Sequence, residues 1–336
     1  MIKVGINGYG TIGRRVADAI RLQDDMQVVG VTLTKPSYKA GIALRNGFRL
    51  YSAIPGNVQL FEEAGIKASG DINSLLDDVD VIIDTSPGKT GLENKKLYEG
   101  KGKKAIFQGG EPAEVAEASF NAHSNYDSAL GKNYVRVVSC NTTGLCRTLN
   151  GIRESFGIED VYAVLIRRSA DPGDSKKGPI NAIVPVNSIP SHHGPDVKTV
   201  IPSLNIVTSA VKVPTTIMHL HIVRARLSRP ATREQVLEQL RNAGRVLLVS
   251  ESSGIKSTAE VMEWAREIGR KRADLFEVAV WEESVNVQGD MLYFMQAVHQ
   301  ESDVVPENVD AVRAMFRLMG RDESIAKTDK SLSIGV

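Results

Sequence analysis

Apolar and polar positions run in two rhythms along this chain. In the first part, short apolar runs alternate with helical stripes. Ile2-Lys3-Val4-Gly5-Ile6-Asn7 predicts a strand. Arg14 to Leu22, with Val16, Ala19 and Ile20 on one face, predicts a helix, and Gln27 to Leu33 a second strand. Asp80 to Pro87 and Lys104 to Gly110 repeat the buried run that ends in a loop. Asn133 to Val138 predicts another strand, and Leu145, Leu149, Ile152 and Phe156 predict a helix directly after it. Such alternation predicts an α/β domain with a parallel sheet and helices on both faces.

After residue 157 strands dominate. Asp160 to Arg168 predicts a strand, and Ser169 to about Pro202 a loop rich in Pro, Gly, Ser and Lys. Thr215 to Val223, Glu277 to Trp281 and Met291 to Val298 predict further strands. Thr232-x-x-Gln235 and Ser257-x-x-Glu260 are capping boxes that open two helices. Pro306 to Met319 predicts a helix that packs back on the first domain. Few helices between many strands predict an α+β domain with a mostly antiparallel sheet. The expected division is 1–139 with 303–336 for the first domain and 140–302 for the second.

The glycines give the first domain its chemistry. Gly8-Tyr9-Gly10-Thr11-Ile12-Gly13 is G-x-G-x-x-G between a strand and a helix, with a second strand following. That is the βαβ unit of a Rossmann dinucleotide-binding domain, in which Gly8, Gly10 and Gly13 let the backbone approach a pyrophosphate. An acid closing the second strand would accept from an NAD ribose; here the chain reads Thr32-Leu33-Thr34-Lys35-Pro36. Thr34 and Lys35 suit a 2′-phosphate, so NADP is expected at least as well as NAD. Ligands sit at the carboxyl ends of such strands, which would place Ser86, Gly109, Gly110 and Cys140 on one rim with the glycine loop.

With 336 residues and net charge +1, the chain is long enough for two domains and lacks the basic field that nucleic acid requires. Two cysteines exclude a disulfide scaffold, and no apolar run reaches membrane-spanning length. The sequence opens directly on a strand, so a cytoplasmic protein away from any membrane is expected. There is no metal-type histidine cluster and no CxxC pair.

Ser139-Cys140-Asn141-Thr142-Thr143-Gly144 joins a strand to a helix. Free N–H groups and the positive end of the dipole there favour a thiolate, which attacks carbonyls. Cys146, inside the helical stripe, is structural. Candidate bases are His123, His192, His193, His219, His221 and His299. His219 and His221 alternate on one strand and face one side; His221 is read as structural. His192 and His193, beside Lys176 and Lys177, look like anion contacts. Arg167 and Arg168 end a strand and could clamp a phosphate.

Lys3 to Gly13 together with Ser139 to Gly144 resembles the phosphorylating glyceraldehyde-3-phosphate dehydrogenase family, in its archaeal-type branch. Phe107 to Glu111, Ser191 to Asp196, Val213 to Thr216 through His219, and Ala297 to Asp303 extend the resemblance over nearly the whole chain. The chain departs from the commoner branch: Asn141-Thr142-Thr143 follows the cysteine, and the strand after its helix carries Arg167-Arg168 where that branch has a histidine. The resemblance implies a homotetrameric glycolytic and gluconeogenic enzyme using NADP or NAD. It would oxidise D-glyceraldehyde 3-phosphate to 1,3-bisphosphoglycerate with inorganic phosphate. It implies Cys140 as nucleophile, His219 as base, and Thr11, Ile12, Gly110, Arg168 and Gln300 at the cofactor. Ser139, Asn141, His192 and His193 would lie near the substrate, with Arg167 and Thr142 supplying the phosphate sites. A sister cysteine-dependent enzyme such as an aspartate-semialdehyde dehydrogenase, and an NADP-sensing binding protein without catalysis, are the rival expectations.

Overall fold

A computed structural model describes residues 1–170 and 178–335; Lys176 and Lys177 lie outside the described residues. The chain opens with β1 (Ile2–Asn7), α1 (Thr11–Arg21), β2 (Met26–Leu33), α2 (Tyr38–Arg45) and β3 (Leu50–Ser52). Then come α3 (Val58–Glu63), α4 (Ile72–Asp78), β4 (Val81–Asp84), α5 (Gly91–Gly100) and β5 (Lys104–Gln108). β6 (Ala118–Phe120), α6 (Ala122–Asn125), β7 (Tyr134–Val137) and α7 (Cys140–Phe156) follow. β8 (Ile158–Arg168), β9 (Val184–Pro185), α8 (His193–Lys198), β10 (Ile206–Val213) and β11 (His219–Leu227) come next. The last elements are α9 (Arg233–Arg241), β12 (Val246–Val249), α10 (Thr258–Glu267), β13 (Val278–Trp281), β14 (Asn286–Gln288), β15 (Met291–Val298), α11 (Val305–Met315) and α12 (Arg321–Leu332).

The chain divides into two compact units. One holds 1–122, 126–139 and 305–333; the other holds 123–125, 140–304 and 334–336. In the first, the sheet order is β3-β2-β1-β4-β5-β7-β6 and every pairing is parallel. Its central strands are buried on both faces, as a helix-covered parallel sheet requires: Val4, Ile6, Val81, Ile82 and Ile83 are fully buried. The glycine loop after β1, Ser86 after β4 and Gly110 after β5 follow the carboxyl ends of their strands.

In the second unit the order is β12-β13-β15-β11-β8-β10-β9, with β14 on β15. Among the described residues only β8/β10 and β12/β13 pair in parallel here; β11 runs antiparallel to both β8 and β15. The fold class is therefore the expected one, a Rossmann-type parallel sheet and a mostly antiparallel second sheet. Several details differ from the sequence reading, among them a short helix, α8, inside the stretch expected as a loop. β10 escapes notice because it follows the Pro-rich stretch and its apolar run is broken by Thr208, Ser209 and Lys212. The strand expected from Thr215 begins only at His219, because Met218 turns with φ +70°. α12 carries no apolar stripe: its buried positions are Ser324, Thr328 and Leu332. The first two give hydroxyl bonds to the Asp310 carboxylate on α11.

Candidate active site

Cys140 is the first residue of α7 and is half-buried. The helix behind it is buried along its first three turns. Gly144 permits this depth: a Cβ there would stand 2.5 Å from the Val298 side chain on β15. The close approach brings the start of α7 down onto His221 of β11 and Gln296 of β15. Asn141 donates toward the Cys140 sulfur at 3.8 Å and lies 3.3 Å from His193 Nε2.

The helix start predicts a thiolate, and the structure corrects this for the resting enzyme. Burial pushes the Cys140 thiol up to about 12, and the Asp303 carboxylate pushes the same way. Arg167, Arg168 and the Asn141 N–H oppose them without winning. With that value Cys140 stands as a thiol at neutral pH.

His219 and His221 are buried on one face of β11, as alternation predicts. Burial holds His219 well below the ordinary imidazole value, with the charges of Arg167 and Arg168 acting the same way. His221 is lowered to about 3 and His193 to about 2, again by burial first. All three rings are neutral at physiological pH. The backbone N–H of Arg168 donates to His219 Nδ1 at 3.1 Å, so the neutral ring keeps its proton on Nε2. At rest His219 offers a donor there, not the free lone pair a base needs.

The remaining candidates fall into distinct places. His193 is buried, with one ring nitrogen on Asn141 and the other on Ser191 Oγ at 3.0 Å. It therefore has no nitrogen left for an anion, against the sequence reading. His192 is exposed and stacks on it, with ring centroids 3.9 Å apart. The Thr142 hydroxyl donates to Asp196 at 2.5 Å, so its proton is committed there. Arg167 is half-buried and its Nε has no hydrogen-bond partner; its charge acts on Cys140, His192 and His193. Gln300 accepts from the Met218 N–H and donates to the Thr216 carbonyl, so it braces the turn that leads into His219.

The glycine loop is built for a dinucleotide. Gly8 has φ +102°, and a Cβ on Gly13 would lie 1.9 Å from the Gly8 carbonyl oxygen. Space is open around Gly10, where α1 begins with no side chain capping its N–H groups. The first N–H groups of that helix are therefore free for a pyrophosphate. Thr11 and Ile12 are half-buried in the same turn, Ser139 is half-buried just before Cys140, and Gly110 is exposed. Thr34 and Lys35 are exposed after β2, and the Thr34 carbonyl is held by Asn57 Nδ2 at 2.7 Å.

Residues 139–284 match the family described as "Glyceraldehyde 3-phosphate dehydrogenase, C-terminal domain". Residues 2–119 match "Dihydrodipicolinate reductase, N-terminus". The chain is 59% identical to the glyceraldehyde-3-phosphate dehydrogenase of Pyrococcus abyssi over 333 residues, 99% of each chain. It belongs to the glyceraldehyde-3-phosphate dehydrogenase family. It is also 58% identical to the enzyme of that name from Pyrococcus furiosus and 54% to that from Methanothermus fervidus, each over 99% of both chains. Within this family member, sequence reasoning missed Gln296, Thr148 and Asp303 around Cys140. Only the shared face of His219 and His221 pointed toward that side of the sheet.

Proposed function

We propose that this chain is a phosphorylating glyceraldehyde-3-phosphate dehydrogenase of glycolysis and gluconeogenesis in the cytoplasm. It oxidises D-glyceraldehyde 3-phosphate to 1,3-bisphosphoglycerate with NADP or NAD and inorganic phosphate. The observation that carries the reading is Cys140 at the first position of α7, in the field of the same two arginines that act on His219.

Cys140 Sγ bonds the aldehyde carbon and its proton passes to the carbonyl oxygen, giving a thiohemiacetal. The Nε2–H of His219 supports the oxygen while charge develops on it. The dinucleotide, when bound, supplies the hydride acceptor. With hydride accepted there and the hydroxyl proton released to water, the carbon is left as a thioester on Cys140. Inorganic phosphate adds to the thioester carbon and expels Sγ, which yields the acyl phosphate and regenerates the thiol. Arg167, His192 and the Thr142 N–H are assigned to the phosphates of substrate and attacking anion. Gly8, Gly10, Thr11, Ile12 and Gly13 are assigned to the pyrophosphate, with Gly110 and Arg168 toward the rest of the cofactor. A homotetramer is part of the proposal. Val207, Ile222, Tyr293 and Met295 on the open face of the second sheet are each 38–41% exposed, which supports burial against further copies.

Absorbance of the reduced nicotinamide tests the reading. It should rise with glyceraldehyde 3-phosphate, either cofactor and phosphate, and stall after about one turnover when phosphate is omitted. Cys140→Ser should abolish turnover and keep cofactor binding. Full activity without phosphate, or with Cys140→Ser, would overturn the assignment.

A further inference from the structure

A chain of buried side chains runs from the third turn of α7 to the Cys140 sulfur, and each link bears on the next. The single Thr148 Oγ1 proton is donated to Gln296 Oε1 at 2.8 Å, the nearer of its acceptors, with the Gly144 carbonyl at 3.2 Å. The Gln296 amide nitrogen is then left to donate to His221 Nδ1 at 3.0 Å. The His221 proton therefore sits on Nε2 and is donated to Asn141 Oδ1 at 2.9 Å. With its oxygen engaged, Asn141 has only its NH2 to present to His193 Nε2 and the Cys140 sulfur. Thr148, His221 and Gln296 are fully buried and Asn141 nearly so, so no water competes for these bonds.

We propose that His221, held by Gln296 and Thr148, is a positioning residue. It sets which way round the Asn141 carboxamide sits, and so aims a hydrogen-bond donor at the sulfur that becomes a thiolate. A carboxamide has two nearly isosteric ends. Turned over, Asn141 would point its oxygen at the sulfur and repel the anion. Nothing on Asn141 itself decides between the two, so the decision passes back along the relay. Gly144 belongs to the same device: a Cβ there would meet Val298, and it would lie 3.4 Å from the Gln296 amide nitrogen. The inference rests on Cys140 being the nucleophile and goes beyond the reading of His221 as a structural histidine.

The test is the rate at which iodoacetamide labels Cys140 at fixed pH, followed on its peptide by mass spectrometry, alongside kcat and KM for the aldehyde. Labelling far below the thiol pKa tracks the thiolate fraction. His221→Leu should slow labelling and kcat roughly tenfold, the size of one lost hydrogen bond to a charged acceptor, and leave KM nearly unchanged. His221→Gln, which can still donate to Asn141 Oδ1, should recover most of both. The isosteric Thr148→Val breaks the relay at its far end and should move labelling in the same direction. It decides the matter if His221→Leu does not fold. Wild-type labelling in both His221→Leu and Thr148→Val would overturn the proposal, as would a His221→Gln variant as impaired as His221→Leu. A wild type that fails to oxidise glyceraldehyde 3-phosphate, yet whose labelling responds as described, would sink the functional reading and leave this one standing.

Discussion

The backbone N–H of Arg168 donates to Nδ1 of His219, and that one bond decides where the imidazole keeps its proton. An N–H can only donate, so Nδ1 is the acceptor and Nε2 bears the hydrogen. The family resemblance assigns His219 the part of a base. With Nε2 protonated, we propose that it acts instead as a donor to the substrate oxygen. The two parts separate by substitution. His219→Phe should lower kcat by about 10²–10³, as loss of one oxyanion donor does elsewhere. His219→Gln places an amide NH2 near the old Nε2 and should recover at least a tenth of the wild-type rate. Steady-state kinetics on the two variants checks this; a glutamine variant as inactive as the phenylalanine would restore the base.

Acid stability follows from the same rings. His193, His219 and His221 are neutral in the fold and carry folded-state values below the ordinary 6.5. The unfolded chain therefore binds more protons below that pH. Their contribution is fully present above pH 6.5 and is lost as pH falls toward the folded values. Each ring can cost up to ~1.4 kcal/mol per pH unit in that window. Urea unfolding between pH 7 and 4 should show a falling midpoint, with a shallower slope in His221→Gln. A flat profile down to pH 4 would contradict the buried, neutral state of these rings.

How much of this was legible in the chain depends on what carries the signal. The Rossmann half announces itself because its strands are apolar on both sides and its glycine loop has a fixed spacing. Cys140 announces itself by standing between a strand and a helical stripe. The relay behind it does not. Gln296 sits mid-strand in an apolar run, and Thr148 sits inside a helix. Their pairing across 148 residues of sequence depends on α7 lying against β15, which only Gly144 hints at. α12 was invisible for a different reason. It is held by buried hydroxyls and a guanidinium, which leave no hydrophobic period to read.

Arg313 on α11 is that guanidinium. It is fully buried and grips both Asp25 oxygens, at 2.8 and 3.1 Å. It also donates to Gln23 and to Thr328 of α12. Burial would raise the Asp25 carboxyl; the bond and charge of Arg313, with Lys327, outweigh it and hold the value below normal. Arg313→Ala leaves the fully buried Asp310 carboxylate, 3.8 Å from the guanidinium, without that charge and Asp25 with Lys327 alone, and should cost ~3–5 kcal/mol in urea unfolding. Arg313→Lys cannot reproduce the two-pronged grip and should recover less than half of that. Activity per folded molecule should change little, because none of these groups belongs to the site around Cys140.

Cofactor choice is the last consequence of the sequence with a local test. β2 ends Leu33-Thr34-Lys35, with no acid to accept from a ribose 2′-hydroxyl or to repel a 2′-phosphate. A 2′-phosphate carries close to two negative charges, and an exposed lysine is the partner on offer. Lys35→Ala should raise KM for NADP roughly tenfold, ~1.4 kcal/mol, and leave KM for NAD nearly unchanged. Thr34→Asp should favour NAD, since the carboxylate repels the phosphate and accepts from the hydroxyl. Loop support must be separated from direct contact. Asn57 provides that control, because it holds the Thr34 carbonyl from outside the loop. Asn57→Ala loosens the segment for both cofactors alike and should raise both Michaelis constants together. If Lys35→Ala behaves as Asn57→Ala does, the lysine only shapes the loop. If it separates the two cofactors, the charge itself reads the 2′-position.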